Sequence, residues 1–162
     1  MNLISRNWIA LSSLILILIW VNGLMATPLS GTYTVGGTGA DFNTLGIALG
    51  TLNAEGQSAE VTFTLNAGTY NGPFVINRPS SAHHFILRTE ESTEAILDNP
   101  ASSSTENYVL KIDNDSNITI SNLKFVPTGS YPNAIVVLGN SDNLTFYRNR
   151  FQWPASTYAS NS

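Results

Sequence analysis

Residues 108–125, YVLKIDNDSNITISNLKF, recur 26 residues on as AIVVLGNSDNLTFYRNRF at 134–151, with no gap needed to align them. Asn114 matches Asn140, Asn117 matches Asn143, Thr119 matches Thr145 and Phe125 matches Phe151. Leu110, Ile112, Ile118 and Ile120 fall opposite Val136, Leu138, Leu144 and Phe146. Each copy holds three short alternating runs, 108–112, 118–120 and 123–125 in the first, separated by turn residues. A unit of this length with several short strands is one coil of a parallel β-helix, in which strands of successive coils pair side by side at about 4.8 Å. Inward residues then stack: Ile118 under Leu144, Ile120 under Phe146, Phe125 under Phe151. The turn asparagines stack too, each side-chain amide bonding to the next. A β-sandwich, the alternative fold, also has short strands and frequent turns. It does not account for the shared register of both asparagines and the phenylalanine.

The rest of the chain fits the same architecture. From Thr27 onward Thr, Ser, Asn and Gly dominate, residues of turns and short strands. The pattern predicts strands at 61–65, 74–76, 84–87 and 95–97, with a turn at 66–72. One segment differs: Phe42, Leu45, Leu49 and Leu52 recur at helical spacing with Ala48 on the same side. Asp41 is placed to cap this helix over 42–52. Gly46 and Gly50 weaken it by roughly 1 kcal/mol each relative to Ala. A β-helix end exposes apolar core and unpaired edges, so the helix is expected to close the N-terminal end. Residues 27–162 have room for about five coils of this period. The C-terminal QWPASTYASNS offers no equivalent cap, and the expectation is a β-helix domain truncated at its C-terminus.

Residues 8–21, WIALSSLILILIWV, are nearly all apolar, with Arg6 before them and the small residues Gly23 and Ala26 after. This is the pattern of a secretory signal peptide over 1–26, cleaved after Gly23 or Ala26, and shorter than the ~20 apolar residues of a membrane span. The expected location is therefore secreted or cell-surface, with no membrane attachment after signal removal. Arg6 is the one charged residue of 1–26, so the remainder has six basic against eleven acidic side chains. An acidic chain with 11% charged residues does not suit nucleic-acid binding, a coiled coil or a charged disordered tail. The absence of cysteine excludes a disulfide scaffold, an Fe–S or thiolate zinc site and a cysteine nucleophile.

GTYTVGGTGADFNTLGIALGTLN, followed by VTFTLNAGTYNGPFVI, resembles the N-terminal region of the pectin lyase-like, right-handed parallel β-helix superfamily. Its members often open with a glycine-rich strand, a D-F-x-T-I/L helix, a strand, a G-x-Y turn and another strand. The resemblance covers about residues 31–151 and implies a right-handed coil. Within the superfamily, SNLKFVPTGSYPNAIVVLGNSDNLTFYRNRF is similar to the part of pectin methylesterases that carries the first active-site glutamine. There Q-A-V-A-L precedes an aspartate and an F-Y-x-C-x-F strand. Here Asn133 stands at the glutamine position before AIVVL, Asp142 matches the aspartate, and Phe146, Tyr147 and Phe151 match the aromatic pattern. The Q-D-T-L motif has no counterpart in QWPASTY at 152–158, and Gly68-Thr-Tyr70-Asn-Gly72 lacks the glutamate of G-x-Y-x-E. The nucleophilic aspartate and the arginine motifs would lie beyond Ser162. The matching residues build the coil, and those that do the chemistry are substituted or missing.

Few residues remain as candidates for a site. Asp113, Asp115 and Asp142 sit in equivalent turns of neighbouring coils and have the oxygen ligands Ca²⁺ wants; many polysaccharide lyases of the superfamily use calcium. The same carboxylates are ordinary turn residues, or a glycosidase acid–base pair if suitably spaced. Arg148 and Arg150 point the same way along a strand and can clasp a uronate carboxylate. Tyr147 and Trp153 can stack on sugar rings. His83 and His84 face opposite sides of a strand and cannot share one site. GGTG at 36–39 lacks the Lys-Ser/Thr of a phosphate loop, and Asn114, Asn117 and Asn143 fit the glycosylation rule. The expected function is a secreted β-helix module that binds carbohydrate, adheres or has a structural role, and is not itself catalytic. The alternative is the N-terminal part of a polysaccharide-active lyase, hydrolase or esterase with its active site past residue 162.

Overall fold

The computed structural model describes residues 27–80, 82–100, 104–129 and 133–153. The expected signal peptide over 1–26 and residues 154–162 lie outside the described residues. Among the described residues twelve strands and one helix follow in chain order. The first circuit holds β1 (Leu29–Val35) and α1 (Leu45–Glu55). The second holds β2 (Gln57–Leu65), β3 (Gly68–Asn71) and β4 (Phe74–Ile76). Next come β5 (Phe85–Thr89), β6 (Ala95–Asp98) and β7 (Tyr108–Asp113), then β8 (Ile118–Ser121), β9 (Lys124–Phe125) and β10 (Asn133–Leu138). The chain ends its described part with β11 (Leu144–Tyr147) and β12 (Arg150–Phe151).

These strands form three sheets, every pair parallel: sheet A in the order β1–β2–β5–β8–β11, sheet B as β3–β6–β9–β12 and sheet C as β4–β7–β10. The path A to B to C repeats, which is a parallel β-helix of about four turns. Four replace the expected five because coils differ in length. The pairs Gly31↔Val61, Val61↔Phe85, Phe85↔Ile118 and Ile118↔Leu144 set periods of 30, 24, 33 and 26 residues. The first coil carries α1, and the third carries a long connection between β6 and β7.

Alternation explains the core. Val61, Phe63 and Leu65 of β2, Phe85 and Leu87 of β5, and Ile118 and Ile120 of β8 point inward and are buried, while their neighbours face out. Tyr33, Phe63 and Phe85 stack edge to face up sheet A, with centroids 6.0 and 5.2 Å apart. Phe125 and Phe151 lie parallel at 5.3 Å, as the repeat predicts. In sheets A and B the 26-residue register holds: Ile118 pairs Leu144, Ile120 pairs Phe146, and Phe125 pairs Phe151. Sheet C departs from it. Leu110 pairs Ile135 and Ile112 pairs Val137, an offset of 25, so the expected partners Val136 and Leu138 are each one residue out. The turn after β10 holds one residue more than the turn after β7. Gly139 (φ 64°) accommodates it, where a Cβ would fall 2.1 Å from Asn114 Oδ1.

Three other expectations are corrected. The helix begins at Leu45, not Phe42, because Thr44 caps it by accepting from Ile47 N–H. Asp41 instead accepts from the N–H and hydroxyl of Thr34, and Phe42 bridges Val35 and packs on Tyr33 and Phe63. The segment 66–72 is largely strand, since Gly68–Asn71 pairs with β6 after a corner at Asn66 and Ala67. The third concerns the strands before the helix: none is predicted ahead of residue 61 from the alternation pattern, and β1 (Leu29–Val35) precedes the helix. The helix buries Leu45, Ala48, Leu49 and Leu52 over the N-terminal end of the core, closing that end as expected. Among the described residues no helix is long and apolar enough to cross a membrane.

Candidate functional site

The corner after sheet A turns through residues of left-handed backbone conformation, Asn122 (φ 60°) and, one coil on, Arg148 (φ 52°). Such a turn swings the following side chains outward. Tyr147, half-exposed on the outer face of β11, carries the Arg148 guanidinium 5.0 Å over its ring. Arg148 also bonds Glu91 from the coil two below, and Arg150 bonds Glu94 at 2.6 Å. Lys124 approaches the same Glu94 at 3.6 Å. Three cations and two carboxylates therefore alternate along one exposed ridge, with Tyr147 at its end. Trp153 is not part of it. It lies at the C-terminal end of the solenoid with Phe146, Phe151 and Val137, around an open concavity of about 520 Å³. The four residues singled out for sugar binding thus divide into a ridge of three and a separate tryptophan.

The proposed calcium ligands do not converge. Asp115 is fully buried, and its carboxylate receives Arg78 Nε at 3.0 Å, Arg78 Nη2 at 2.6 Å and the Arg78 backbone N–H at 2.8 Å. Ser116 N–H adds a fourth donor at 2.8 Å. Asp113 is held by Lys111 at 3.3 Å and by the Asn114 amide at 2.8 Å. Asp142 stays exposed, one coil away. Alternation in the turn sends Asp115 inward and its neighbours outward, which the shared turn position did not reveal. Among the described residues no three His, Asp or Glu side chains form a metal-ligand group.

Arg78 is the element that sequence reasoning missed. Its guanidinium also donates to Gln57 Oε1 at 2.7 Å, to His83 O at 2.9 Å and to Ser116 O, and lies 5.7 Å over the Phe85 ring. The signal was present: Arg78 is the one Asp, Glu, Lys or Arg between Glu60 and Arg88. His83 contributes only this carbonyl, while the His84 ring meets Thr119 Oγ1 at 2.9 Å and Glu60 at 3.3 Å on the other side. Asn117 and Asn143 do form the expected amide ladder. Asn114 instead accepts the backbone N–H of Asn140.

Chemically, the charged side chains are mostly spoken for. Arg78–Asp115, Lys111–Asp113, Arg88–Glu90, Arg148–Glu91 and Arg150–Glu94 are ion pairs, and Asp41 and Asp98 accept from Thr34 and Thr128. This is the chemistry of a scaffold with an exposed, exchangeable ionic ridge. No family model, curated protein or solved structure matches this chain, so the reading of the site rests on its geometry.

Proposed function

We propose that this chain is a secreted β-helix module that binds acidic polysaccharide and is not itself catalytic. The observation that carries the reading is the ridge of Tyr147, Arg148 and Arg150. Each arginine holds a carboxylate at the protein surface, and the carboxylates, Glu91 and Glu94, are about half-exposed or more. Surface ion pairs of this kind contribute only about 0–1 kcal/mol, so a uronate carboxylate can replace Glu91 or Glu94 at small cost. A guanidinium presents two parallel donors to such a group, and Tyr147 adds ring surface beside it. The resemblance to the pectin lyase-like superfamily agrees with a glycan partner. The burial of Asp115 against Arg78, and the hydrogen bonds that hold Asp41 and Asp98 to Thr34 and Thr128, support a binding role over acid–base catalysis.

The test is retention of polygalacturonate against a neutral glucan. We expect retention of the acidic polymer alone, weakening as salt rises, and a loss of about tenfold or more in affinity for Arg148→Ala with Arg150→Ala. Equal retention of both polymers, or no effect of the double substitution, overturns the reading. Export is checked separately: the exported protein should begin at Leu24 or Thr27. The second reading, an N-terminal part of a polysaccharide-active enzyme, is favoured by the apolar end at Val137, Phe146 and Phe151, which one more coil would cover.

A further inference from the structure

The N-terminal end of the solenoid presents three sheet edges, and two of them are partly satisfied by groups of the chain itself, at Thr34 and Gly36 on β1 and at Val75 and Asn77 on β4. On β1, Asp41 accepts the Thr34 N–H at 2.7 Å, and Phe42 exchanges backbone bonds with Thr34 and Gly36. On β4, Asn53 of α1 donates to Val75 O at 2.9 Å and accepts from Asn77 N–H at 2.9 Å, so one amide side chain replaces a neighbouring strand. The third edge, that of β3, is treated differently. Gly68 N–H and Gly72 N–H bond to Glu94 O and Asp98 O, which turns the peptide groups of residues 68, 70 and 72 toward β6. Strand alternation then turns the N–H and C=O of Thr69 and Asn71 the opposite way. Among the described residues nothing bonds to these four groups.

They face a groove of about 480 Å³. Gly36 and Gly37 form one wall, Thr44, Leu45 and Gly46 at the start of α1 another, and no charged side chain lines it. We propose that this edge is a docking site for an extended, uncharged segment of a partner polypeptide, which joins sheet B as a fifth strand. The pattern of donors identifies the class of ligand. Thr69 and Asn71 repeat an N–H and a C=O at the two-residue spacing of a strand, about 7 Å, which is the complement of another peptide backbone. Sugar hydroxyls donate and accept at every position and have no use for that alternation. The length of β3 fits a partner stretch of about four residues, roughly 13 Å. Gly37 and Gly46 in the walls leave space for the side chains of such a segment, while Gly36 is packed against the Tyr70 ring.

This proposal goes beyond the polysaccharide reading and uses a different end of the molecule, so either can fail alone. The probe is a displayed library of random, terminally blocked peptides, selected on the full chain from residue 27. Gly46→Phe is the counter-selection. A Cβ at Gly46 meets nothing closer than Thr44 Oγ1 at 4.0 Å, so the backbone admits a side chain there. Gly46→Ala, which adds no bulk to the groove, is the control, and both variants are compared at equal fractions folded by thermal melting. We expect selected peptides to be uncharged, to shift and protect the Thr69 and Asn71 amides, and to lose about tenfold or more in affinity on Gly46→Phe. N-methylation of alternate residues of the best peptide should abolish binding. The proposal is overturned if selected peptides bind Gly46→Phe equally well, or if the Thr69 and Asn71 amides are already protected without peptide. It is also overturned if only oligosaccharides shift these amides.

Discussion

At the scale of single residues, Asp115 and Arg78 carry the most energy. Both side chains have no exposed surface, so removing one partner strands a buried charge. Asp115→Ala should cost about 3–5 kcal/mol, read as a lower urea midpoint, whereas Arg150→Ala should stay within about 1 kcal/mol. The turn asparagines present a subtler case. Asn143 sits at φ 49° and donates to Asn117 in the coil below. Asn143→Ala should cost about 1–2 kcal/mol from backbone conformation alone. Asn143→Gly keeps the backbone permissive, so its smaller loss measures the amide ladder by itself. The sequence made Asn117 and Asn143 legible because identical residues repeat at the coil period. It left Arg78 and Asp115 obscure because they occur once each and come from different corners, 37 residues apart. Tyr147, Arg148 and Arg150 were legible as a linear patch. Their acidic partners were not, since Glu91 and Glu94 belong to another coil.

At the scale of elements, strands were easier to read than corners. Period-two alternation places Val61, Phe63 and Leu65 without reference to anything else, and these residues are buried as that pattern requires. The helix boundary was harder because Asp41 and Thr44 are both good caps, and only the tertiary position of Thr34 decides between them. Gly139 shows the same limit: a one-residue register change in sheet C is invisible while sheets A and B keep the period of 26. The helix also invites improvement. Gly50 is exposed, and nothing lies within 4 Å of a Cβ placed there. Gly50→Ala should raise stability by about 1 kcal/mol, measured by thermal or urea unfolding. Asn53→Ala should act in the other direction. It unpairs Val75 O and Asn77 N–H at the β4 edge, and the Asn77 amide should lose its hydrogen-exchange protection first.

At the scale of the whole molecule, the two ends differ in chemistry and in response to solution conditions. The N–H and hydroxyl of Thr34 hold the Asp41 carboxyl below its ordinary range. Its contribution is therefore present above about pH 4 and lost as pH falls through the lowered folded value, so the gap between parent and Asp41→Asn should close in acid. Burial pushes the Tyr70 phenol up, and its hydroxyl bonds Val35 O and Asn66 O at 2.9 Å. That stabilisation is present below about pH 10 and lost as pH rises through the raised folded value; Tyr70→Phe should lack this alkaline loss in melts followed by circular dichroism. The other end exposes Val137, Phe146, Phe151 and Trp153 beside the edges of β10, β11 and β12, which pair with no further strand among the described residues. A chain of residues 27–162 should self-associate with concentration, and Phe146→Lys with Phe151→Lys should return it to a monomer in sedimentation velocity. A monodisperse, cooperatively melting parent overturns that expectation. The asymmetry between an end closed by α1 and an end where the described residues carry no helix also gives the molecule a mechanical polarity. Hydrogen bonds between coils run along the solenoid axis, so tension applied between the two ends loads them one rung at a time. The end without the helix has fewest neighbours and should peel first, releasing the final 26-residue coil as a step of roughly 90 Å of contour. The helix-closed end should hold to the last, so that under load the protein behaves as a zipper that opens from one side only.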